Sequence, residues 1–146
     1  MPGDALPDSL TSTIVTHHLG ASAAPSSRGV LIVESDPDLQ WQLARMLTQS
    51  SCVVVGTSSS DGALAVLSSW RADVLVVAED LPGMNGLELV RHVRSKNPSV
   101  PILLLANDGP GVDDVVRTTG ATEVLQKPVK LEHVRSLVLG IELARL

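Results

Sequence analysis

The sequence predicts an α/β fold: a doubly wound, five-stranded parallel sheet of strand order 2-1-3-4-5 with five helices. Three observations carry this reading. Short apolar runs recur at 30–33, 52–55, 74–77, 102–105 and 124–125. They are apolar at consecutive rather than alternate positions, which suits strands covered on both faces. Helical patterns fill the gaps between them, and right-handed crossovers joining parallel strands leave few topologies.

The elements follow in order. Residues 1–28 read as a disordered tail or linker, because 21–27 are small, polar and Pro-containing. Residues 9–18 carry too few apolar positions at helical spacing to hold a helix, and His17 and His18 are read as incidental. Adjacent positions on a helix point apart, and no Cys or carboxylate clusters with them. The folded domain is assigned to 29–146. Its first helix is predicted over 36–48, with Leu39, Leu43, Met46 and Leu47 on one stripe. Asp36 before Pro37 makes a helix start: the carboxylate caps free N–H groups and proline fits the first turn. Further helices are predicted at 61–70, 86–96, 112–118 and 131–145, with Gly120 as a helix stop. The fold class is therefore flavodoxin-like, with the working site at the carboxyl ends of the strands near the switch between strands 1 and 3.

Composition bounds the function. Apolar residues make up 44% of 146, enough for one core, and Phe and Tyr are absent, so that core is aliphatic. Net charge is −5 with no dense Lys/Arg block, which gives no footing for nucleic acid. No apolar run approaches the ~20 residues of a membrane span, and the start lacks a basic stretch leading into an apolar one. A cytoplasmic location, with neither membrane nor nucleic acid as partner, is expected. Cys52 has no second cysteine to pair with and lies in an apolar run, so a buried, inert thiol is expected.

The residues just after each run carry the functional signal. They are Glu34-Ser35-Asp36-Pro37 after the first, Ala78 at the end of the third with Pro82-Gly83-Met84-Asn85-Gly86 beyond it, Ala106-Asn107 after the fourth, and Lys127-Pro128 after the fifth. Over 29–146 this order and spacing resembles the receiver domains of bacterial response regulators. The resemblance implies an aspartate at position 78 that accepts a phosphoryl group, with a magnesium ion held by an acid pair at positions 34 and 35. Ala78 cannot be phosphorylated. Glu34 keeps a carboxylate, Ser35 offers only a neutral hydroxyl, and Asp36 is read as the helix cap rather than a ligand. Mg²⁺ wants hard oxygen donors in tight octahedral geometry, so its binding is expected to be weak or absent, and no metal or other cofactor is assigned.

The resemblance also implies a read-out. The Ser or Thr that senses the phosphoryl oxygens falls at Ala106, and the aromatic switch on the last strand falls at Val124. Lys127 alone survives of the ion-sensing set. The resemblance places a cis peptide at Lys127-Pro128, and Lys127 is expected to pair with Glu34. Glu79 is expected to point away from position 78, because successive strand side chains alternate in direction. Asp80, in the loop, is the one displaced acceptor to consider.

Function is then expected on surfaces. Leu131, Val134, Val138 and Ile141 form the sheet-facing stripe of the last helix, while Leu139, Leu143 and Leu146 recur on another side and suggest a homodimer or partner contact. Trp41 lies off the apolar stripe of the first helix and is expected to be part-exposed, as a contact hot spot would be. Trp70 is expected at the core edge. No DNA-binding domain follows the last helix, so output is expected to pass through another polypeptide. The reading is a stand-alone, phosphorylation-independent pseudo-receiver, not an enzyme, that binds a kinase, another regulator or a localisation complex. Two alternatives stand beside it: a small-molecule sensor using the vacated pocket between Glu34, Ala78 and Ala106, and a receiver phosphorylated at Asp80.

Overall fold

A computed structural model describes residues 15–17, 27–107 and 120–141, the first three by their backbone. The elements are β1 (Val15–His17), β2 (Gly29–Val33), α1 (Pro37–Gln49), β3 (Val53–Thr57), α2 (Ser60–Leu67), β4 (Val74–Ala78), α3 (Gly86–Lys96), β5 (Ile102–Ala106), β6 (Glu123–Gln126) and α4 (Leu131–Gly140). They build one sheet of order β1-β3-β2-β4-β5-β6. From β3 to β6 all neighbours are parallel. In order of the five apolar runs this is 2-1-3-4-5, the predicted flavodoxin-like sheet.

Every residue of β2, β4 and β5 is buried, as central strands of a doubly covered sheet must be. One core layer packs Leu31, Val33, Leu75 and Leu104 under Ala63 and Val66 of α2 and Leu89, Val90 and Val93 of α3. The other packs Val30, Ile32, Val76 and Leu103 under Leu43 and Leu47 of α1 and Val134 and Val138 of α4. Cys52 belongs to this second layer and is buried.

Four differences from the sequence reading have local causes. The assignment of 1–28 as tail or linker does not foresee β1, which pairs antiparallel with β3 through Val15↔Gly56 and His17↔Val54. Val15 and Thr16 are β-branched and suit an edge strand. Helix α2 stops at Leu67 rather than at 70: Ser68, just past its last residue, donates its hydroxyl to Ala65 O at 2.6 Å. Such side-chain bonds to the preceding turn compete with helix continuation. Helix α4 ends at Gly140, with Ile141 extended (ψ 129), rather than running to 145; glycine is a poor helix former. Finally, four helices are described rather than five. The one predicted at 112–118 lies outside the described residues, as do 1–14 with the upstream part of 9–18, and His18. Gly120, read as a helix stop, has the left-handed φ of +84°.

Candidate functional site at the carboxyl ends of the strands

Glu34 follows β2 at the switch point of the sheet. Its N–H donates to Thr57 O at 3.0 Å, which ties it to the end of β3. The side chain is 1% exposed, with Oε1 2.8 Å from Lys127 Nζ. Oε2 accepts from Asp36 N at 3.0 Å, and Glu34 O accepts from the buried Gln40 side chain at 2.9 Å. A carboxylate taken out of water needs such company, because an unpaired buried charge is costly. The ammonium is the only partner of Oε1 among the described residues.

Asp36 caps α1. Its Oδ1 accepts from Asp38 N at 3.0 Å, and Pro37 occupies the first turn. Ser35 is exposed, and its hydroxyl donates to Asp80 O at 3.2 Å. That bond links the loop after β2 to the loop after β4.

Ala78 ends β4 and is fully buried. The chain then turns through Gly83, which has a left-handed φ of +73°, into α3. Asn85 caps that helix in a reciprocal box: its side chain accepts from Glu88 N at 3.0 Å, and Glu88 Oε1 accepts from Asn85 N at 3.4 Å. Gly86 N donates to Glu79 O at 2.8 Å. A Cβ on Gly86 would collide with the Ala78 carbonyl oxygen, so only glycine fits this approach. The buried Ser60, first residue of α2, donates its hydroxyl to Met84 O at 2.7 Å and holds the loop from the other side.

Glu79 is half-buried, and its Oε1 accepts from Asn107 N at 3.0 Å. Sequence reasoning set this residue aside on strand alternation and missed the contact, because alternation assigns a face but not a reach past the strand end. Asp80 is exposed. Ala106 is 3% exposed, and its carbonyl accepts from Lys127 N at 2.8 Å. Val124 is half-buried against the α2/α3 core layer. The Lys127-Pro128 peptide is cis. The structure therefore brings Glu34, Asp36 and Lys127 together, and it places Ala78 and Ala106 at strand tips with only methyl groups to offer. Among the described residues no cluster of three or more His, Cys, Asp or Glu side chains is arranged to hold a metal ion.

On the outer surfaces, Trp41 is 50% exposed, with the Arg45 guanidinium 5.1 Å from its ring centroid. Trp70 is half-buried at the core edge. Leu139, read as part of an outward stripe, is instead half-buried against the α1/α4 core layer. Leu143 and Leu146 lie outside the described residues. No helix among the described residues is long and apolar enough to cross a membrane.

This sheet, with an acid after its first parallel strand and a Lys-Pro after its last, defines a receiver module of two-component signalling. Residues 30–139 match the family model of the response regulator receiver domain, and the chain belongs to that family. It is 33% identical over 108 residues to the two-component response regulator PhoP of Pseudomonas aeruginosa, covering 73% of this chain and 48% of that protein. It is 31% identical over 121 residues to the TorCAD operon transcriptional regulatory protein TorR of Escherichia coli, covering 80% and 52%. Among solved structures, the chemotaxis response regulator CheY4 of Vibrio cholerae superposes with a TM-score of 0.72 at 26% identity, covering 79% of this chain and 98% of that one. A response regulator receiver protein from Pseudomonas putida shares the fold at a TM-score of 0.73 and 21% identity, covering 81% and 100%. The chain spans about half the length, or less, of the curated relatives it matches.

Proposed function

We propose that this chain is a pseudo-receiver: a phosphorylation-independent protein-interaction module of two-component signalling, without catalysis of its own. One observation carries the reading. Where the phosphoryl acceptor belongs stands the buried methyl of Ala78, and the remaining acid, Glu34, already has its counter-charge 2.8 Å away in Lys127. Mg²⁺ binding is expected to be weak. Both Glu34 oxygens are engaged, the Ser35 hydroxyl donates to a carbonyl, Asp36 caps α1, and position 78 has no side-chain oxygen to give. A hard cation needs several anionic oxygens in tight geometry.

The partner is a protein: a kinase, another regulator or a localisation complex. The half-exposed Trp41 is a fitting contact anchor, since tryptophan is enriched among residues that dominate interfaces. A ligand in the vacated pocket is the weaker reading. Glu34, Ala78 and Ala106 are 1%, 0% and 3% exposed, which leaves a ligand almost nothing to touch.

The test is incubation of the full chain with acetyl phosphate and Mg²⁺, read by intact mass. The expected outcome is no added phosphoryl group. Stoichiometric labelling would overturn the proposal, and its loss in an Asp80→Asn variant would move the acceptor to Asp80.

A further inference from the structure

At the amino ends of the strands, opposite the Glu34 site, a groove of about 580 Å³ runs between α2 and α3. Its floor is apolar: Leu64, Leu67, Trp70, Leu75, Val93 and Val100. Helix α2 stops at Leu67, and the Trp70 indole beyond it lies over Gly29. A Cβ at Gly29 would stand 3.1 Å from Trp70 Cζ2, so the bare glycine lets the ring seat this deeply.

Both walls are braced. On the α2 side, Ser69 N and Trp70 N both donate to Val66 O, at 3.1 and 2.8 Å. On the α3 side, Arg94 Nη1 donates to Asn97 O at 3.1 Å and to Val100 O at 2.6 Å, while Asn97 Oδ1 accepts from Val100 N at 3.1 Å. Burial lowers the Arg94 pKa from its ordinary value. A groove fixed before a ligand arrives loses little freedom on binding.

The charge on its rim is one-sided. Among the described residues the charged groups lining the groove are Arg71 and Lys96, with His92 beside them and no carboxylate, although the chain as a whole carries a net charge of −5. An apolar floor with a few polar groups at its rim, at this volume, has the make-up of a small-molecule site.

We propose that this groove binds a small amphipathic anion, an aryl or alkyl monoanion whose apolar body lies on Trp70 and Leu67 and whose head meets Arg71 and Lys96. The site is independent of the pseudo-receiver reading, since it shares no residue with the Glu34–Lys127 pair.

The test uses the full chain in a Trp41→Phe background, where Trp70 is the sole tryptophan of the two in the sequence. The aryl sulfonate 1-anilinonaphthalene-8-sulfonate is titrated, and energy transfer from Trp70 is recorded. Saturation at one probe per chain is expected, with displacement by decanoate. The neutral analogue N-phenyl-1-naphthylamine is expected to bind at least tenfold more weakly. An Arg71→Glu/Lys96→Glu variant, its fold checked by circular dichroism, is expected to lose at least tenfold in probe affinity. Absence of saturation overturns the proposal, as does equal binding of the neutral analogue or of the charge-reversed variant. Self-association that buries Trp70 without probe assigns the groove to a second copy and also overturns it. Displacement by an acidic amphipathic peptide at far lower concentration than by decanoate does the same in favour of a protein segment.

Discussion

Removing one partner of the Glu34–Lys127 pair strands the other charge beside the sheet. Lys127→Met is expected to lower the unfolding free energy by about 2 kcal/mol, below the cost for fully buried pairs because Lys127 stays 24% exposed. The double variant Glu34→Gln/Lys127→Met is expected to recover much of that loss in urea melts. A double variant whose loss is the sum of the losses of Glu34→Gln and Lys127→Met alone would mean the two groups do not couple. Cys52 makes a second case. Burial raises its pKa above the ordinary thiol value, and the nearby Arg28 opposes this only in part. The thiolate is the reactive form, so Cys52 is expected to resist Ellman's reagent at pH 8 in the native protein and to react at once in denaturant. The Glu34–Lys127 contact was legible in advance from the receiver resemblance, which sets an acid and a lysine at strand ends around position 78. The Glu79 contact to the Asn107 amide was not, since it depends on how far one side chain extends beyond its strand.

Helix α1 closes with a left-handed turn made by a serine. Ser51 has φ +68°, its N–H donates to Thr48 O at 3.1 Å, and Cys52 N donates to Leu47 O at 3.0 Å. These are the paired bonds of a Schellman ending, whose left-handed residue is usually glycine. Ser51→Gly is therefore expected to raise stability by about 0.5–1 kcal/mol, read as a higher thermal midpoint. The start of α1 was legible, since Asp36-Pro37 is a local signal that no distant contact overrides. Its end was read to within one residue, at 48 against Gln49, whereas α2 and α4 were both read too long. Apolar spacing runs on through Trp70 and past Ile141, but the hydroxyl of Ser68 and the weak propensity of Gly140 decide where the backbone leaves the helix.

Across the whole molecule, the parallel order could be read from consecutive apolar runs, because burial on both faces leaves that mark in the chain. Strand β1 left none. A stretch of three residues is too short to stand out, and it becomes a strand by pairing with the open edge of β3. A chain beginning at residue 27 is expected to keep its fold while the β3 amides that face β1 exchange faster with deuterium; unchanged exchange over Val53–Thr57 would show the pairing to be unpopulated. The binding groove was equally silent, although Trp70 and the pair His92 and Lys96, one helical turn apart, were there to be noticed. The bare hydrogen of Gly86 against the Ala78 carbonyl has a consequence for reading genomes. That glycine is demanded by two backbones in touch, whatever side chain the neighbouring position carries. Its presence in a newly sequenced relative reports that strand and helix meet there, and carries no news of whether phosphate is handled.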